Sequence, residues 1–485
     1  MGNTSPINKN LGPLFNPASI ALAGITVEHP EHWTRTFLDS LLEFHFEKPL
    51  YLVNPRGGEI KGIKVYQRLA DIPQTVDYVI STVPAKAAPG LLEECSHKGV
   101  KAVHFCTAGF SETGEEEGER LEAQLAELSR KTGIRVIGPN CMGIYCPASH
   151  LSFNREFPRE SGPVGFISQS GGNTGSLINE VMSRGVRFSK AISYGNACDL
   201  NESDFLEYLA DDPETKIISL YIEGVKDAPR FRQALHKAAE QKDIVLLKGG
   251  LTEGGARAAA SHTGSLAGSD MIWGALCRHL GVIQVYSLEE LADFLVTLSF
   301  LSPPRGRRAA LIGAGGGYSV LITDEFERKG LKVPQLPQEM KTAISEFTPL
   351  AGNILRNPID YSQSMMDPEK LFKMVHIVSQ WKGVDFVIWF IDLVWIPVEE
   401  MERIHRMLDG ILKETKSALK PIAFVLRTGI SPELAKKVSS FVQKCAFSQL
   451  PVYFSFSSAA HSLDLVLRHR EERRKAQSLR QEGTA

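Results

Sequence analysis

Short apolar runs recur along this chain, and longer stretches with apolar positions every three or four residues separate them. The first run is Ser19-Ile20-Ala21-Leu22-Ala23-Gly24. Phe37, Leu38, Leu41 and Leu42 then mark one face of a helix, and Leu50-Tyr51-Leu52-Val53 forms the next run. Similar runs lie at Tyr78 to Thr82, Ala102 to Phe105 and Arg135 to Ile137. Short strands alternating with helices predict a parallel sheet covered on both faces. The scheme restarts near Pro163, with strands expected at Val164 to Ile167, Lys190 to Ser193, Ile217 to Ile222, Ile244 to Leu247 and Val282 to Val285. Ser302-Pro303-Pro304-Arg305-Gly306 interrupts it as a linker. A third unit opens at Ala309-Ala310-Leu311-Ile312 and continues through Phe386 to Phe390 and Ile422 to Leu426.

The expected architecture is α/β, with three domains in series over residues 1–148, 149–302 and 303–467, then a charged tail, 468–485, read as a solvated helix end. A length of 485 residues agrees with about three domains. No solenoid period is visible.

Composition narrows the chemistry. With 43% hydrophobic and 23% charged residues and a net charge of −2, nothing points to nucleic acid or a membrane surface. The seven cysteines lack CxxC spacing and are odd in number, so they read as reduced thiols, with neither zinc nor a disulfide framework. The N-terminus has no secretory pattern, and Pro6 occupies the Ser/Thr position of a myristoylation motif. No apolar run approaches the ~18 residues of a membrane span. The expectation is a cytoplasmic protein.

Four features bear on function. Gly249 to Gly268 surround His262 with small side chains and contain no aromatic residue and no proline. Glycines leave such a backbone free to move or to approach a ligand. The segment reads either as a mobile nucleophile or as a surface loop with an incidental histidine. Ile167-Ser168-Gln169-Ser170-Gly171-Gly172 and Ile312-Gly313-Ala314-Gly315-Gly316 are strand-to-helix turns, which cradle phosphate at a helix N-terminus or simply turn the chain. Neither is a Walker loop. Glu223 follows an apolar strand at the carboxyl edge, where a carboxylate can fix the tautomer of an imidazole. Finally, Gly24-Ile25-Thr26-Val27-Glu28-His29 lacks the glycines of a dinucleotide fingerprint, and the next strand ends in Asn54-Pro55-Arg56 where NAD enzymes place an acid. NAD is disfavoured; a phosphorylated nucleotide such as coenzyme A remains open.

Together these residues resemble the nucleoside-diphosphate-forming acyl-CoA synthetases, relatives of succinyl-CoA synthetase, from about Phe15 to about Leu467. The matching stretches are Val53-Asn54-Pro55, Gly138-Pro139-Asn140, Ser168-Gln169-Ser170-Gly171-Gly172, Ser193-Tyr194-Gly195-Asn196, Tyr221-Ile222-Glu223-Gly224, Ser261-His262-Thr263-Gly264, Gly313-Ala314-Gly315-Gly316 and Asn357-Pro358-Ile359-Asp360. The resemblance implies a Rossmann-like CoA-binding domain followed by two flavodoxin-like domains. It assigns coenzyme A to Gly24, Thr26, Asn54, Pro55, Arg56, Val83, Pro84 and Asn140. Phosphate falls to Ser168, Gln169, Ser170, Gly171, Gly172, Gly313, Gly315 and Gly316, and catalysis to His262 and Glu223, with no metal site on this chain. The implied reaction interconverts acyl-CoA, inorganic phosphate and ADP with a carboxylic acid, CoA and ATP, through an acyl phosphate and a phosphohistidine.

Two departures stand out. No stretch resembles an ATP-grasp domain, so ADP/ATP with Mg2+ would bind a separate ATP-grasp beta-type subunit in a hetero-oligomer. The turn after Gly24 also differs from the family's usual Gly-Ala-Ser continuation. Two other classes compete: a non-catalytic acyl-CoA-binding or scaffold protein of the same fold, and an NAD(P) oxidoreductase. Cys141 and Met142, beside the Asn140 turn, are candidates for the acyl pocket or for core.

Overall fold

The computed structural model describes residues 6–263, 269–302, 304–313, 315–348, 353–361, 367–393, 402, 406, 409, 420–427 and 432–482. It divides into two compact units, 1–179 with 187–291 and 180–186 with 292–485. The first unit holds two sheets and the second holds one.

The first sheet comprises β1 (Ile20–Ala23), β2 (Leu50–Val53), β3 (Gly58–Ile60), β4 (Ile63–Tyr66), β5 (Tyr78–Ser81), β6 (Ala102–Phe105) and β7 (Arg135–Ile137), in the order β3-β4-β2-β1-β5-β6-β7. All pairs are parallel except the β3–β4 hairpin. Strands β1, β5 and β6 are buried at every position, as expected when helices cover both faces.

The second sheet comprises β8 (Gly143–Tyr145), β9 (Val164–Ser168), β10 (Phe188–Ser193), β11 (Ile217–Ile222), β12 (Asp243–Lys248) and β13 (Ile283–Val285), in the order β13-β12-β11-β9-β10-β8. Only β8 is antiparallel, and it pairs with β10. The second sheet therefore takes its edge strand from ahead of position 148. The strands of the third sheet are β14 (Ala309–Ile312), β15 (Ile354–Leu355), β16 (Ile359–Asp360), β17 (Phe386–Ile391), β18 (Ile422–Leu426) and β19 (Val452–Tyr453), in the order β15-β16-β14-β17-β18-β19. In the latter two sheets the first parallel strand lies inside, its successor on one side and the rest on the other. That order creates a crevice beside β9 and another beside β14, where open α/β sheets bind ligands.

The charged end differs from expectation. Helix Phe456–Glu482 runs through Leu467 without a break, and His469 is buried one turn beyond Val466 on the same face. Among the described residues all seven cysteines are free, no His/Cys/Asp/Glu cluster could hold a metal, and no helix is long and apolar enough to cross a membrane.

Candidate active site

Strand β9 ends at Ser168, and the chain turns directly into helix Gly171–Met182. Ser168 Oγ accepts from Ser170 N (3.2 Å) and donates to Ser170 O (2.8 Å), closing the turn on itself. Ser170 Oγ then accepts from Asn173 N, and Thr174 Oγ1 donates back to Ser170 O. A Cβ at Gly171 would lie 2.8 Å from Met142 Cγ, so the close approach of that side chain requires glycine here. The helix N-terminus presents unpaired N–H groups and the positive end of its dipole.

The neighbouring strand β11 runs in register with β9, Tyr221 opposite Ser168, and delivers Glu223 beside Gln169. Both side chains are buried. Gln169 Oε1 accepts from Glu223 N (2.8 Å) and Gly224 N (3.2 Å), while Tyr221 Oη donates to Glu223 Oε1 (3.0 Å). Burial, reinforced by the Glu223 charge, holds the Tyr221 phenol protonated well above its ordinary range.

Lys248, at the end of β12, was not foreseen. Its Nζ donates to Glu223 O (2.7 Å) and to Gly249 O, and lies 5.4 Å from the centre of the Trp273 ring. Burial lowers its pKa to about 8, against the opposing pull of Glu223. Lys248 thus ties the Glu223 turn to the root of the histidine-bearing segment. The signal available in sequence was a lone cation ending an apolar strand at the edge that carries Glu223.

His262 falls in the last turn of helix Glu253–Thr263; its side chain, and residues 264–268, lie outside the described residues. The glycine-rich segment is therefore helical over half its length. Ala256 to Ala260 include strong helix formers, and Thr252 Oγ1 accepts from Gly255 N (3.1 Å) at the helix start.

The first sheet presents its carboxyl edge to the same unit. Gly24 follows β1 with φ +91°, and a Cβ there would sit 2.7 Å from Val83 N and 2.8 Å from Thr82 C. Only glycine lets the turns after β1 and β5 meet, so Gly24, Val83 and Pro84 are neighbours at the switch point of the sheet. Asn54 Nδ2 donates to Ile25 O (2.8 Å). Thr26 is held through its N to Thr34 Oγ1 (3.2 Å) and through its O by Arg35 Nε (2.7 Å). Arg35 is itself buried and also donates to Val27 O; nothing in the local sequence announced this brace. Arg56 is exposed and paired with Glu28 at 2.5 Å.

Asn140, with φ +58°, follows β7, and its N donates to Thr107 O. Its Nδ2 reaches Asn196 Oδ1 (3.3 Å), and Asn196 Nδ2 donates to Glu112 Oε2 (2.6 Å) and Glu122 Oε2 (2.9 Å). The turns of the first two sheets are thereby joined. Between them opens a cavity of about 670 Å³, lined by Asn140, Gln169, Ser170, Gly171 and Gly172 on its polar side. Cys106, Cys141, Met142, Phe153 and Phe157 make its apolar wall, and among the described residues no charged side chain lines it. Cys141 is both a buried residue and part of this wall, and Met142 lines it too.

In the second unit Gly313 ends β14 with φ +103°, and a Cβ there would lie 2.1 Å from Phe390 O. Gly315 caps helix Gly316–Arg328, and Ala314 lies outside the described residues. Arg427 Nη1 donates to Asp392 Oδ2 (3.1 Å) at the same edge, and its guanidinium stands over Tyr318. Asn357 is a brace: its side chain bonds Leu311 N, Ala309 O and Pro334 O.

Residues 18–147 match the CoA binding domain family, and residues 161–298 match the succinyl-CoA ligase like flavodoxin domain. The alpha subunit of acetate–CoA ligase [ADP-forming] II from Pyrococcus furiosus is 37% identical over 87% of this chain and 91% of its own length. The alpha subunit of isoenzyme I from the same organism is 39% identical over 72% of this chain and 76% of its own. Among solved structures, the dinucleotide forming acetyl-coenzyme A synthetase 1 of Ca. Korarchaeum cryptofilum, solved with phosphate and ADP, superposes with a TM-score of 0.80 at 29% identity, over 95% of this chain and 97% of that one. The chain belongs to the ADP-forming acid–CoA ligase family, among relatives that are alpha subunits.

Proposed function

We propose that this chain is the subunit of an acid–CoA ligase that cleaves the thioester and captures phosphate, in the reaction acyl-CoA + phosphate + ADP ⇌ acid + CoA + ATP. Coenzyme A lies along the turns at Gly24, Thr26, Asn54, Pro55, Arg56, Val83, Pro84 and Asn140, with the acyl end in the 670 Å³ cavity. Phosphate at the N-terminus of helix Gly171–Met182 attacks the thioester carbonyl; the C–S bond breaks, CoA leaves as thiol and an acyl phosphate remains. His262 then takes the phosphoryl group as the P–O bond to the acyl oxygen breaks, releasing carboxylate. Glu223 holds the imidazole in the tautomer that attacks. Phosphoryl transfer requires positioning and charge stabilisation more than covalent machinery, which suits a helix N-terminus beside a fixed carboxylate.

Gly313, Gly315 and Gly316 form a second phosphate-binding turn, in the second unit. ADP and Mg2+ bind an ATP-grasp partner, which receives the phosphoryl group from His262 within a hetero-oligomer. Domains of 1–148, 149–302 and 303–467 and a cytoplasmic location complete the reading. An uncharged cavity with an apolar wall favours monocarboxylic acyl groups, acetate among them, as the names of the relatives suggest.

The observation that carries this reading is the pairing of Gln169 with Glu223 at the mouth of a phosphate-competent helix. It is tested by adding inorganic phosphate to the chain with acetyl-CoA or propionyl-CoA and measuring free thiol. Stoichiometric thiol release that needs phosphate supports the proposal. Release without phosphate, or none where CoA binding is intact, contradicts it.

A further inference from the structure

Lys248 stands where three parts of the first unit meet. Its Nζ donates to Glu223 O (2.7 Å) and to Gly249 O, and the ammonium lies 5.4 Å from the centre of the Trp273 ring, within reach of a cation–π contact. Glu223 O belongs to the turn that carries the orienting carboxylate. Gly249 opens the histidine-bearing segment, and Trp273 lies on helix Asp270–Leu280, which follows that segment. One side chain therefore holds together the entry to the segment, the helix beyond it and the Glu223 turn.

The parts it joins are themselves fixed. Gly249 N donates to Ile222 O (2.9 Å), and a Cβ at 249 would lie 2.9 Å from Tyr221 Oη and 3.5 Å from Glu223 Cγ. The entry is thus pressed against the Tyr221–Glu223 pair. Trp273 packs edge-on against the buried Phe231, with ring centres 5.8 Å apart. Lys248 and Trp273 are only 3% and 6% exposed. Burial disfavours an ammonium, and an apolar residue would end the run Ile244 to Leu247 without that penalty. What the lysine adds is geometry: it directs its donors to backbone carbonyls that follow two different strands, β11 and β12, and so closes the base of the segment.

We propose that Lys248 is a positioning residue for phosphoryl transfer to His262: by closing the base of the segment on the Glu223 turn, it fixes how far the imidazole reaches. The inference rests on the catalytic reading of His262. Holding reacting groups together raises their effective concentration, so a loosened base slows the step that His262 performs and spares the attack on the thioester.

The test separates the two steps in the purified full chain, comparing wild type with K248M. Methionine keeps an unbranched apolar stem but donates no hydrogen bond. Arsenate in place of phosphate reports the first step without His262: it attacks acetyl-CoA, the C–S bond breaks, CoA leaves as thiol, and the acyl arsenate hydrolyses to acetate and arsenate. Labelled phosphate retained on the protein reports the second step. K248M keeps arsenate-dependent thiol release within about threefold of wild type but takes up label about tenfold or more slowly. K248R, which retains a cation and donors, labels faster than K248M. Labelling of K248M at the wild-type rate, or labelling and arsenolysis that fall in the same proportion, overturns the proposal. Absence of both arsenolysis and label in wild type that binds CoA overturns the catalytic reading, and this inference with it.

Discussion

The side-chain oxygen of Gln169 accepts the amide protons of both Glu223, at 2.8 Å, and Gly224, at 3.2 Å, and so joins the ends of β9 and β11 at the switch point of their sheet. Replacing Gln169 with Leu leaves two buried donors unpaired. Each orphaned group costs about 1–3 kcal/mol, so chemical denaturation should show the Q169L chain less stable by about 2–6 kcal/mol. Phosphorylation should fall with it, because the Glu223 carboxylate loses its placement. Unchanged stability would mean that the turn finds other acceptors.

The Gly24 turn offers a sharper test of the CoA edge. With φ +91° and Val83 N only 2.7 Å from the position of a Cβ, the G24A substitution must move the turns after β1 and β5 apart. CoA affinity, measured by calorimetry, is expected to drop at least about tenfold, with a loss of stability on the order of 1–3 kcal/mol. Full CoA affinity in G24A would place the cofactor elsewhere.

Glu202 gives a pH prediction. It opens helix Glu202–Asp211, is buried, and its Oε1 has no hydrogen-bond partner among the described residues. Burial, helped by Asp204, raises its pKa from 4.5 to about 7. The folded state therefore binds the proton more tightly than the unfolded chain does. Its stabilising effect is complete below pH 4.5 and is lost as pH rises through 7. The E202Q chain should match wild type near pH 4.5 and exceed it by roughly 1–3 kcal/mol at pH 8. A difference that does not vary with pH would contradict the assignment.

Acyl selectivity follows from the cavity wall. Met142, Phe153 and Phe157 face the space, and among the described residues no cation lines it to meet a second carboxylate. An unpaired buried carboxylate costs several kcal/mol, so kcat/KM for succinyl-CoA should lie roughly 100-fold or more below that for propionyl-CoA. Comparable values would show that a dicarboxylic acyl group finds a partner here.

Much of this arrangement was legible in the sequence because parallel strands buried on both faces are continuous apolar runs. Ile20 to Ala23, Ile217 to Ile222 and Phe386 to Phe390 all read as such, and the residues that follow them mark the ligand edge. The β3–β4 hairpin and β8 were not visible. They are three or four residues long, and β8 takes its register from a partner distant in sequence, Ile192 opposite Ile144. The roles of Lys248 and Arg35 are likewise tertiary. Lys248 reaches Glu223 only because β12 lies in register with β11, and Arg35 braces Thr26 across a folded-back loop. The helix that ends at Thr263 and includes His262 was hidden by its glycines, although its alanines favour it.

The central claim is that phosphate from solution reaches His262 by way of an acyl phosphate. The most direct measurement incubates the purified chain with acetyl-CoA and labelled inorganic phosphate and looks for acid-labile, base-stable phosphoprotein. The account predicts label on wild type, none on H262A, and strongly reduced label on E223Q. Undiminished label on H262A, or none on wild type while it binds CoA and releases no thiol, would contradict it.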